Sequence, residues 1–225
     1  MSKKVLITIF SFIFILSFGL VVNTAESAGI AQYVGYSQAD EHGYVKAEVI
    51  IENNNILDVQ LTEYNDKGEA KGEDYPWDEF HEAMEVLPEN FVDGNTHEVD
   101  IISGATNTCE KAMEAVKMAL EKSEGQTSFD GTYLGTSDVS ERGNWGVAWV
   151  EVQDGEIVNV DLEEVADGEF KDEDYDWDEY HEAQEQLPEE FKESNSYDVD
   201  IYTGATGSSE RWIQAVIRAL GKAGF

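Results

Sequence analysis

The chain has 225 residues, of which 48 are acidic and 14 are basic, so its formal net charge at pH 7 is −34. This charge excludes a nucleic-acid-binding protein, because contacts with phosphate groups need a basic surface. Hydrophobic residues make up 41% of the chain and aromatic residues 11%. That is enough apolar material for two small cores, so the composition does not indicate a disordered protein.

The first 28 residues have the pattern of an export signal. Two lysines precede an apolar run from Val5 to Val22, and the small residues of the sequence NTAESA follow. We therefore expect a signal peptide over residues 1–28 and a protein that is secreted or held at the outer face of the cytoplasmic membrane. An uncleaved anchor is the alternative, because about 17–25 apolar residues span a bilayer. No cysteine follows the apolar run directly, so a lipoprotein is not expected.

Three antiparallel strands are predicted next. The first contains YVG at 33–35. The second covers 45–51, where the alternation of apolar and polar residues is typical of a half-buried strand. Turn residues at 53–55 lead to a third strand over 56–61. In that strand the residues expected to face the core are Leu57, Val59 and Leu61. The corresponding positions later in the chain are 133–135, 153–155 and 157–162, with Val158, Val160 and Leu162 facing inward. The third strand returns after 101 residues and the first after 100, which indicates one residue inserted or lost in a turn between strands.

Two helices are predicted after the strands. The first follows an acidic loop, has apolar residues spaced by three and four, and is expected to stop at Pro88 or Pro188. Its apolar face consists of Trp77, Phe80, Ala83, Met84 and Leu87, or Trp177, Tyr180, Ala183 and Leu187. The second helix is expected to bury Cys109, Met113, Val116 and Leu120, or Ile213, Val216, Ile217 and Leu220. We interpret the single cysteine, Cys109, as a small core residue. A redox thiol is the weaker alternative, and Ser209 replaces it in the second copy.

The strongest feature of the sequence is a repeated heptapeptide. DIISGAT at 100–106 returns as DIYTGAT at 200–206, and the segment 73–91 aligns with 173–191 at the same offset of 100 residues. So long a period, present twice, favours tandem domains over a solenoid. We predict an α+β fold with two tandem small domains, each an antiparallel sheet with helices. Their bounds are 29–121 and 129–225, and the polar segment 121–128 is the predicted linker.

The pattern D-x-x-[S/T]-G-A-T resembles the flavinylation motif of the FMN-binding domain family. That family includes one component of the sodium-translocating NADH:quinone reductase, one component of the Rnf complex and many secreted bacterial flavoproteins. In the family the last Thr carries FMN through a phosphoester bond, so the resemblance implies covalent attachment, up to two FMN groups, at Thr106 and Thr206. It also implies a separate flavin transferase that uses a metal ion to transfer FMN from FAD and that recognises the rest of the motif. The remaining cofactor-site residues are then Asp100, Ser103, Gly104 and Ala105, and in the second copy Asp200, Thr203, Gly204 and Ala205.

The residue types in the motif suit a bound phosphate on physical grounds as well. Gly104 permits a backbone turn closed to other residues, and Thr106 precedes a helix, whose first N–H groups and dipole favour an anion. Asn107 with Glu110 has the spacing of a capping pair, and Gly207 with Glu210 is its weaker counterpart. The alternative interpretation is that [S/T]-G-A-T only caps a helix.

The acidic helix carries a histidine in each copy, His81 and His181, beside several carboxylates. A metal site is conceivable, but these residues are spread around the helix and no EF-hand or H-E-x-x-H pattern is present, so a solvated acidic face is favoured. The aromatic residues before it are candidates either for packing on a flavin ring or for the core: Tyr75 and Trp77 in the first copy, and Tyr175 and Trp177 in the second.

We therefore expect an exported electron-transfer flavoprotein, more an electron carrier than a stand-alone catalyst, with no assigned catalytic or metal-binding residues. The family resemblance implies a membrane quinone-linked electron donor and an extracytoplasmic electron acceptor as partners. Two alternatives remain open: an FMN-free acidic surface module that binds cations or cell-wall polymer, and a flavin reductase of a small substrate. No G-x-S-x-G, Walker or Rossmann glycine pattern is present to indicate another chemistry.

Overall fold

The computed structural model describes residues 29–172 and 174–225, so the predicted signal segment 1–28 lies outside the described residues. The elements are β1 (Ala31–Tyr36), β2 (Tyr44–Glu52), β3 (Asn55–Tyr64), α1 (Asp78–Gly94), α2 (Thr106–Ser123), β4 (Gly131–Thr136), β5 (Trp145–Gln153), β6 (Glu156–Ala166), β7 (Glu169–Phe170), α3 (Asp178–Ser194) and α4 (Thr206–Ala223). Two antiparallel sheets, in the orders β1-β2-β3 and β4-β5-β6-β7, and four helices confirm the α+β class. Within the described ranges no helix is both long and apolar enough to cross a membrane.

Each sheet carries its own helices. In the first half α2 packs on β1 and β2 while α1 packs on β3, and in the second half α4 packs on β4 and β5 while α3 packs on β6. The alternation predicted for β2 is confirmed, because Val45, Ala47 and Val49 are fully buried in the first core. Each half therefore has an apolar core between one face of a sheet and two helices.

A β-bulge changes which residues of β3 and β6 face the core. Leu57 is predicted to lie inside but is 44% exposed, whereas its neighbour Ile56 is buried. The register shifts between Ile50 and Ile51, and Ile56 pairs with Ile51. A shift of one residue moves a side chain to the other face of a sheet. The same bulge in β5 leaves Val158 exposed and Ile157 buried, so both inward assignments are wrong.

The residue that accounts for the offset of 101 lies between the first two strands of each half. The Ser37 amide bonds to the carbonyl of Val45, but the equivalent Ser137 bonds to that of Gly146, one residue further on. The offset returns to 100 after the third strand. Glu63 pairs with Lys71 and Glu164 pairs with Lys171, so the two glutamates are 101 residues apart and the two lysines 100. Glu63 and Glu164 are thus equivalent residues.

The helices α1 and α3 do not stop at their prolines. Pro88 lies inside α1, which continues to Gly94 and ends at Asn95 in the left-handed conformation with φ of 48°. An internal proline costs a helix about 3 kcal/mol. Leu87 and Phe91 on either side of it are fully buried, and the burial of such side chains is worth about 1.5–3 kcal/mol each. Core packing therefore carries the helix through the proline, and α3 does the same at Pro188.

The burial predicted for Cys109, Val116, Val216 and Leu220 is confirmed, but the closest approach of α2 and α4 to their sheets is made by small residues. A Cβ atom at Gly35 of β1 would overlap the carbonyl oxygen of Ala115, and one at Gly135 would overlap that of Ala215. This close approach buries the alanines, while Met113 and Leu120 are only partly buried. Ile217, which is predicted to lie inside, is 42% exposed.

The two halves are joined by an ordered connection and by a shared cluster. Residues 121–123 of the predicted linker are the end of α2, and the amide of Phe129 donates to the carbonyl of Ala223 at 2.9 Å. Tyr44 from the first half is buried with Leu134, Val147 and Val165 from the second. The halves therefore meet in an apolar contact, which the polar composition of the linker does not predict.

Candidate functional site

Both copies of the heptapeptide form a loop that ends at the start of a helix. Ala105 and Ala205 are the buried N-cap residues, and the helices begin at Thr106 and Thr206, which are exposed. The amide of Ala105 donates to the carbonyl of Ile102 at 3.0 Å, and the equivalent bond in the second half measures 3.2 Å. A tight turn thus presents each threonine hydroxyl at the first position of its helix.

Neither threonine caps its helix. The N-cap residues Ala105 and Ala205 make no side-chain cap hydrogen bond. The predicted capping pair Asn107 and Glu110 is wrong, because both residues lie inside α2 and Asn107 Nδ2 donates to Asp40 Oδ2 at 3.3 Å. The first amides of a helix have no partner within the helix. In this structure they have no side-chain cap either, so the geometry fits an anion at the threonine.

The glycine of the motif is required for two reasons. Gly104 has φ of +90° and Gly204 has φ of +98°, a region that side chains rarely adopt. A Cβ atom at Gly104 would also lie 2.8 Å from Cγ of Glu79, and one at Gly204 would lie 2.8 Å from Cγ of Glu179. The first turn of the acidic helix therefore packs directly against the motif loop, which leaves space only for glycine.

Cys109 and Ser209 have the same structural role. Both are fully buried one turn into their helices. The sulfur of Cys109 accepts a hydrogen bond from the amide of Ile102 at 3.4 Å, and the hydroxyl of Ser209 accepts one from the amide of Tyr202 at 3.3 Å. Each side chain therefore ties the motif loop to its helix. The prediction of a buried core residue is confirmed.

A buried ion pair in each half was missed from the sequence. Glu63 lies 2.5 Å from Lys71, and Glu164 lies 2.8 Å from Lys171, with both carboxylates almost wholly buried. Each lysine also lies over a tyrosine ring, at 4.8 Å from the centroid of Tyr75 and at 4.0 Å from the centroid of Tyr175. The repeat of a glutamate followed by a lysine in both halves was the available signal, but the changed spacing of eight and seven residues concealed it.

In the second half this ion pair connects directly to the helix that follows the motif. The hydroxyl of Ser208 donates to Oε2 of Glu164 at 2.7 Å, and Nη2 of Arg211 donates to the same oxygen at 2.9 Å. Burial raises the pKa of the Glu164 carboxyl, but the hydrogen bonds from Lys171, Ser208 and Arg211 outweigh it and hold the pKa below its usual value. Glu164 is therefore a buried carboxylate beneath the start of α4.

The remaining polar residues of the motif are on the surface. Asp100, Ser103 and their counterparts Asp200 and Thr203 are exposed, as are both glycines. The structure does not bring a histidine to this loop, because Nε2 of His81 donates to the carbonyl of Tyr75 at 2.7 Å and His181 makes the same bond to Tyr175. The described residues hold no group of three or more potential metal ligands.

The aromatic residues before α1 and α3 pack among themselves. The Tyr75 ring meets that of Phe80 edge-on at 5.0 Å, and Tyr175 meets Tyr180 in the same way at 5.2 Å. Trp177 is partly buried against the second core. Tyr175 is 36% exposed, whereas Tyr75, Trp77 and Trp177 are half-buried. Among the four candidates, Tyr175 therefore has the most free surface for a flavin ring.

The first site lies within a span of the chain that matches a known protein family. Residues 41–121 match the family described as FMN-binding domain, and this span includes α1, the motif loop with Thr106 and most of α2. The match supports FMN as the cofactor and a flavoprotein of electron transfer as the class of protein. No curated protein matches the chain. Among solved structures, the CPE2226 protein from Clostridium perfringens is 27% identical over 43% of this chain and 88% of that chain, with a TM-score of 0.39.

Proposed function

We propose that this protein is an exported electron-transfer flavoprotein with FMN bound covalently to Thr106 and Thr206. The observation that carries the proposal is an exposed threonine hydroxyl at the first position of a helix without a side-chain cap, within the span that matches the FMN-binding family. A phosphoester at this hydroxyl would place its charged oxygens beside the first amides of α2. Such an anion is favoured by about 0.3–1 kcal/mol through the helix dipole.

The second site is argued from its contacts. Thr206 follows the same turn, the same left-handed glycine and the same packed glutamate as Thr106. We therefore extend the function to the second half and propose two tandem FMN-binding domains with bounds 29–121 and 129–225. The partners proposed are a flavin transferase, a membrane quinone-linked donor and an extracytoplasmic acceptor.

Bound FMN would supply reversible one- and two-electron chemistry, and the chain would supply position and electrostatics. Gly104 and Cys109 hold the motif loop, Ala105 places the first turn, and Thr106 provides the attachment oxygen. Because Thr106, Ser103 and Gly104 are exposed, the cofactor site would be open to partner proteins. Covalent attachment also suits an exported protein, since a free nucleotide lost outside the cell would be diluted beyond recapture.

The test is intact-mass analysis after coexpression with a flavin transferase. We expect two additions of FMN less one water, a single addition in Thr106→Ala and in Thr206→Ala, and none in the double variant. Thr127→Ala is the matched control, because Thr127 is exposed but lies outside the motif. The double variant should still fold, since the structure shows no capping bond from either threonine.

Two results would contradict the proposal. Absence of any adduct would remove the covalent FMN and favour the acidic surface module. Loss of both adducts in a single variant would show that the two halves are not independent sites.

A further inference from the structure

The two motif sites differ in what their helix cations contact. Lys111 of α2 and Arg211 of α4 are equivalent, but Nζ of Lys111 pairs with the carboxylate of Asp40 and donates to the carbonyl of Gly43 at 2.8 Å. Asn107 donates to the same carboxylate. The loop between β1 and β2 thus holds the lysine with a carboxylate of its own.

The second half lacks that carboxylate. The Asp40 amide bonds to the carbonyl of Gly43, and in the equivalent loop the Ser140 amide bonds to that of Asn144, so Ser140 takes the place of Asp40. Arg211 turns instead toward the start of its own helix. Its Nη1 lies 3.4 Å from the position of a Cβ on Gly207, the residue directly after Thr206. The absence of a side chain at Gly207 leaves the guanidinium beside the first turn.

The buried charges are consequently balanced in one half and unbalanced in the other. In the first half each lysine has its own carboxylate, Lys71 with Glu63 and Lys111 with Asp40. In the second half Lys171 and Arg211 share Glu164, which is 0% exposed. Two cations thus meet one anion beside Ser208, in the first turn of α4.

Two polar atoms in this cluster, Nε of Arg211 and the hydroxyl of Tyr180, are buried without a hydrogen-bond partner in the described part of the chain. Tyr180 is 1% exposed, and its counterpart in the first half is Phe80, which has no such hydroxyl. The second half therefore has two unsatisfied donors in the cluster around Glu164.

The first half has unpartnered buried atoms of a different kind. Within the described part of the chain they are Oε2 of Glu63 and the hydroxyl of Thr108. The carboxylate oxygen would repel a phosphate, and neither atom belongs to a cation. The capacity to bind an anion through a positive side chain is therefore specific to the second half.

We propose that Arg211 is a phosphate-binding residue of the second site, which makes the two sites chemically unequal. This inference rests on the proposed function, because the phosphate is that of the nucleotide on Thr206. A guanidinium is suited to a phosphate by charge and by its fork of donors. The first site has no equivalent ligand, since Asp40 holds Lys111. The positive charge of Arg211 also stabilises an electron added nearby, so it raises the midpoint potential of the flavin at Thr206.

The first experiment uses unflavinylated full-length protein and inorganic phosphate as the probe. Phosphate should shift the NMR signal of the Gly207 amide, and Arg211→Gln should weaken this binding about tenfold, the loss of one charge-assisted hydrogen bond. Arg218→Gln is the matched control, since it removes the same charge from α4 at a residue that pairs with Asp138. Equal phosphate binding by the Arg211 and Arg218 variants would overturn the proposal.

The second experiment measures midpoint potentials of flavinylated protein by spectroelectrochemical titration. In a Thr106→Ala background, Arg211→Gln should lower the potential of the remaining flavin, while Arg211→Lys should retain most of it. In a Thr206→Ala background, Asp40→Ser should release Lys111 and raise the potential of the flavin at Thr106. Unchanged potentials in both backgrounds would overturn the inequality of the sites, whereas failure of attachment would overturn the proposed function and leave the phosphate titration decisive.

Discussion

Lys122 and Lys222 occupy the same place in the two halves and make the same bond in different surroundings. Nζ of Lys122 donates to the carbonyl of Val34 at 2.9 Å, and Nζ of Lys222 donates to that of Leu134 at 2.5 Å. Each ammonium lies over a ring of the other half, that of Lys222 at 3.5 Å from the ring centroid of Tyr44 and that of Lys122 at 5.4 Å from that of Phe129. Burial lowers the pKa of Lys222 to about 7. Repetition of sequence therefore reproduces a contact, while the position of that contact in the whole molecule sets its electrostatics.

The buried carboxylates give the largest expected difference between the halves. Removal of one partner from a buried ion pair costs about 3–5 kcal/mol, because it leaves an uncompensated charge. We expect Glu164→Gln to reach this range and Glu63→Gln to cost less, since Glu164 holds two cations and Glu63 one. Urea unfolding followed by tryptophan fluorescence measures both. An equal loss of unfolding free energy would show that Arg211 contributes nothing to the second pair.

Replacement of the glycine in β1 and of the glycine in β4 should destabilise the protein by the same amount. Gly35→Ala and Gly135→Ala each place a Cβ against a backbone carbonyl of the facing helix, and such overpacking costs about 1–3 kcal/mol. Thermal unfolding is the measurement. Gly221→Ala is the control, since a Cβ there meets nothing within 4 Å and a helical glycine replaced by alanine gains about 0.5–1 kcal/mol. A large effect in only one half would mean that the two helix–sheet contacts are not equivalent.

Lys222 should make stability depend on pH in the alkaline range. Its pKa is about 7 when folded and near 10.4 when unfolded, so between these values the unfolded chain binds more protons and stability rises with pH. The slope from this one group is at most about 1.4 kcal/mol per pH unit. Burial raises the pKa of the facing Tyr36 and Tyr44 hydroxyls, so these groups titrate later than Lys222.

The measurement is urea unfolding at a series of pH values from about 7 to 10, the range between the two pKa values of Lys222. Lys222→Met should flatten the rise in stability, and Lys117→Met should not, because the Lys117 side chain is 55% exposed. The same slope in wild type and Lys222→Met would mean that the contact between the halves does not bury the charge.

The exchange of Cys109 and Ser209 should have the smallest effect. Each side chain accepts a hydrogen bond from the amide at the third position of its motif, Ile102 or Tyr202. Cys109→Ser and Ser209→Cys are therefore expected to change the unfolding free energy by about 1 kcal/mol or less. Flavin attachment should be unchanged by intact mass. Loss of attachment in Cys109→Ser alone would give the thiol a function that its counterpart lacks.

Most secondary structure, including the turn and helix start at each motif, could be predicted from the sequence, but several side-chain positions could not. The period-2 pattern of β2 and the spacing in α1 locate these elements, because burial imposes those periods. The predictions for Leu57 and Pro88 are wrong because a bulge and the packing around Phe91 override local rules. The roles of Thr106 and Thr206 stay predictions, supported by their position at the first turn of a helix.

The sequence by itself determined the strand and helix order, the burial of Cys109 and the left-handed glycines of the motif, since each depends on local periodicity or on backbone freedom. Only the tertiary structure decided that Glu63 and Lys71 form a buried pair, that Glu79 packs on Gly104, and that Arg211 faces the start of its helix. These contacts join residues that are distant along the chain or shifted by one residue between the halves. They depend on how the elements pack in three dimensions, and no local pattern encodes that packing.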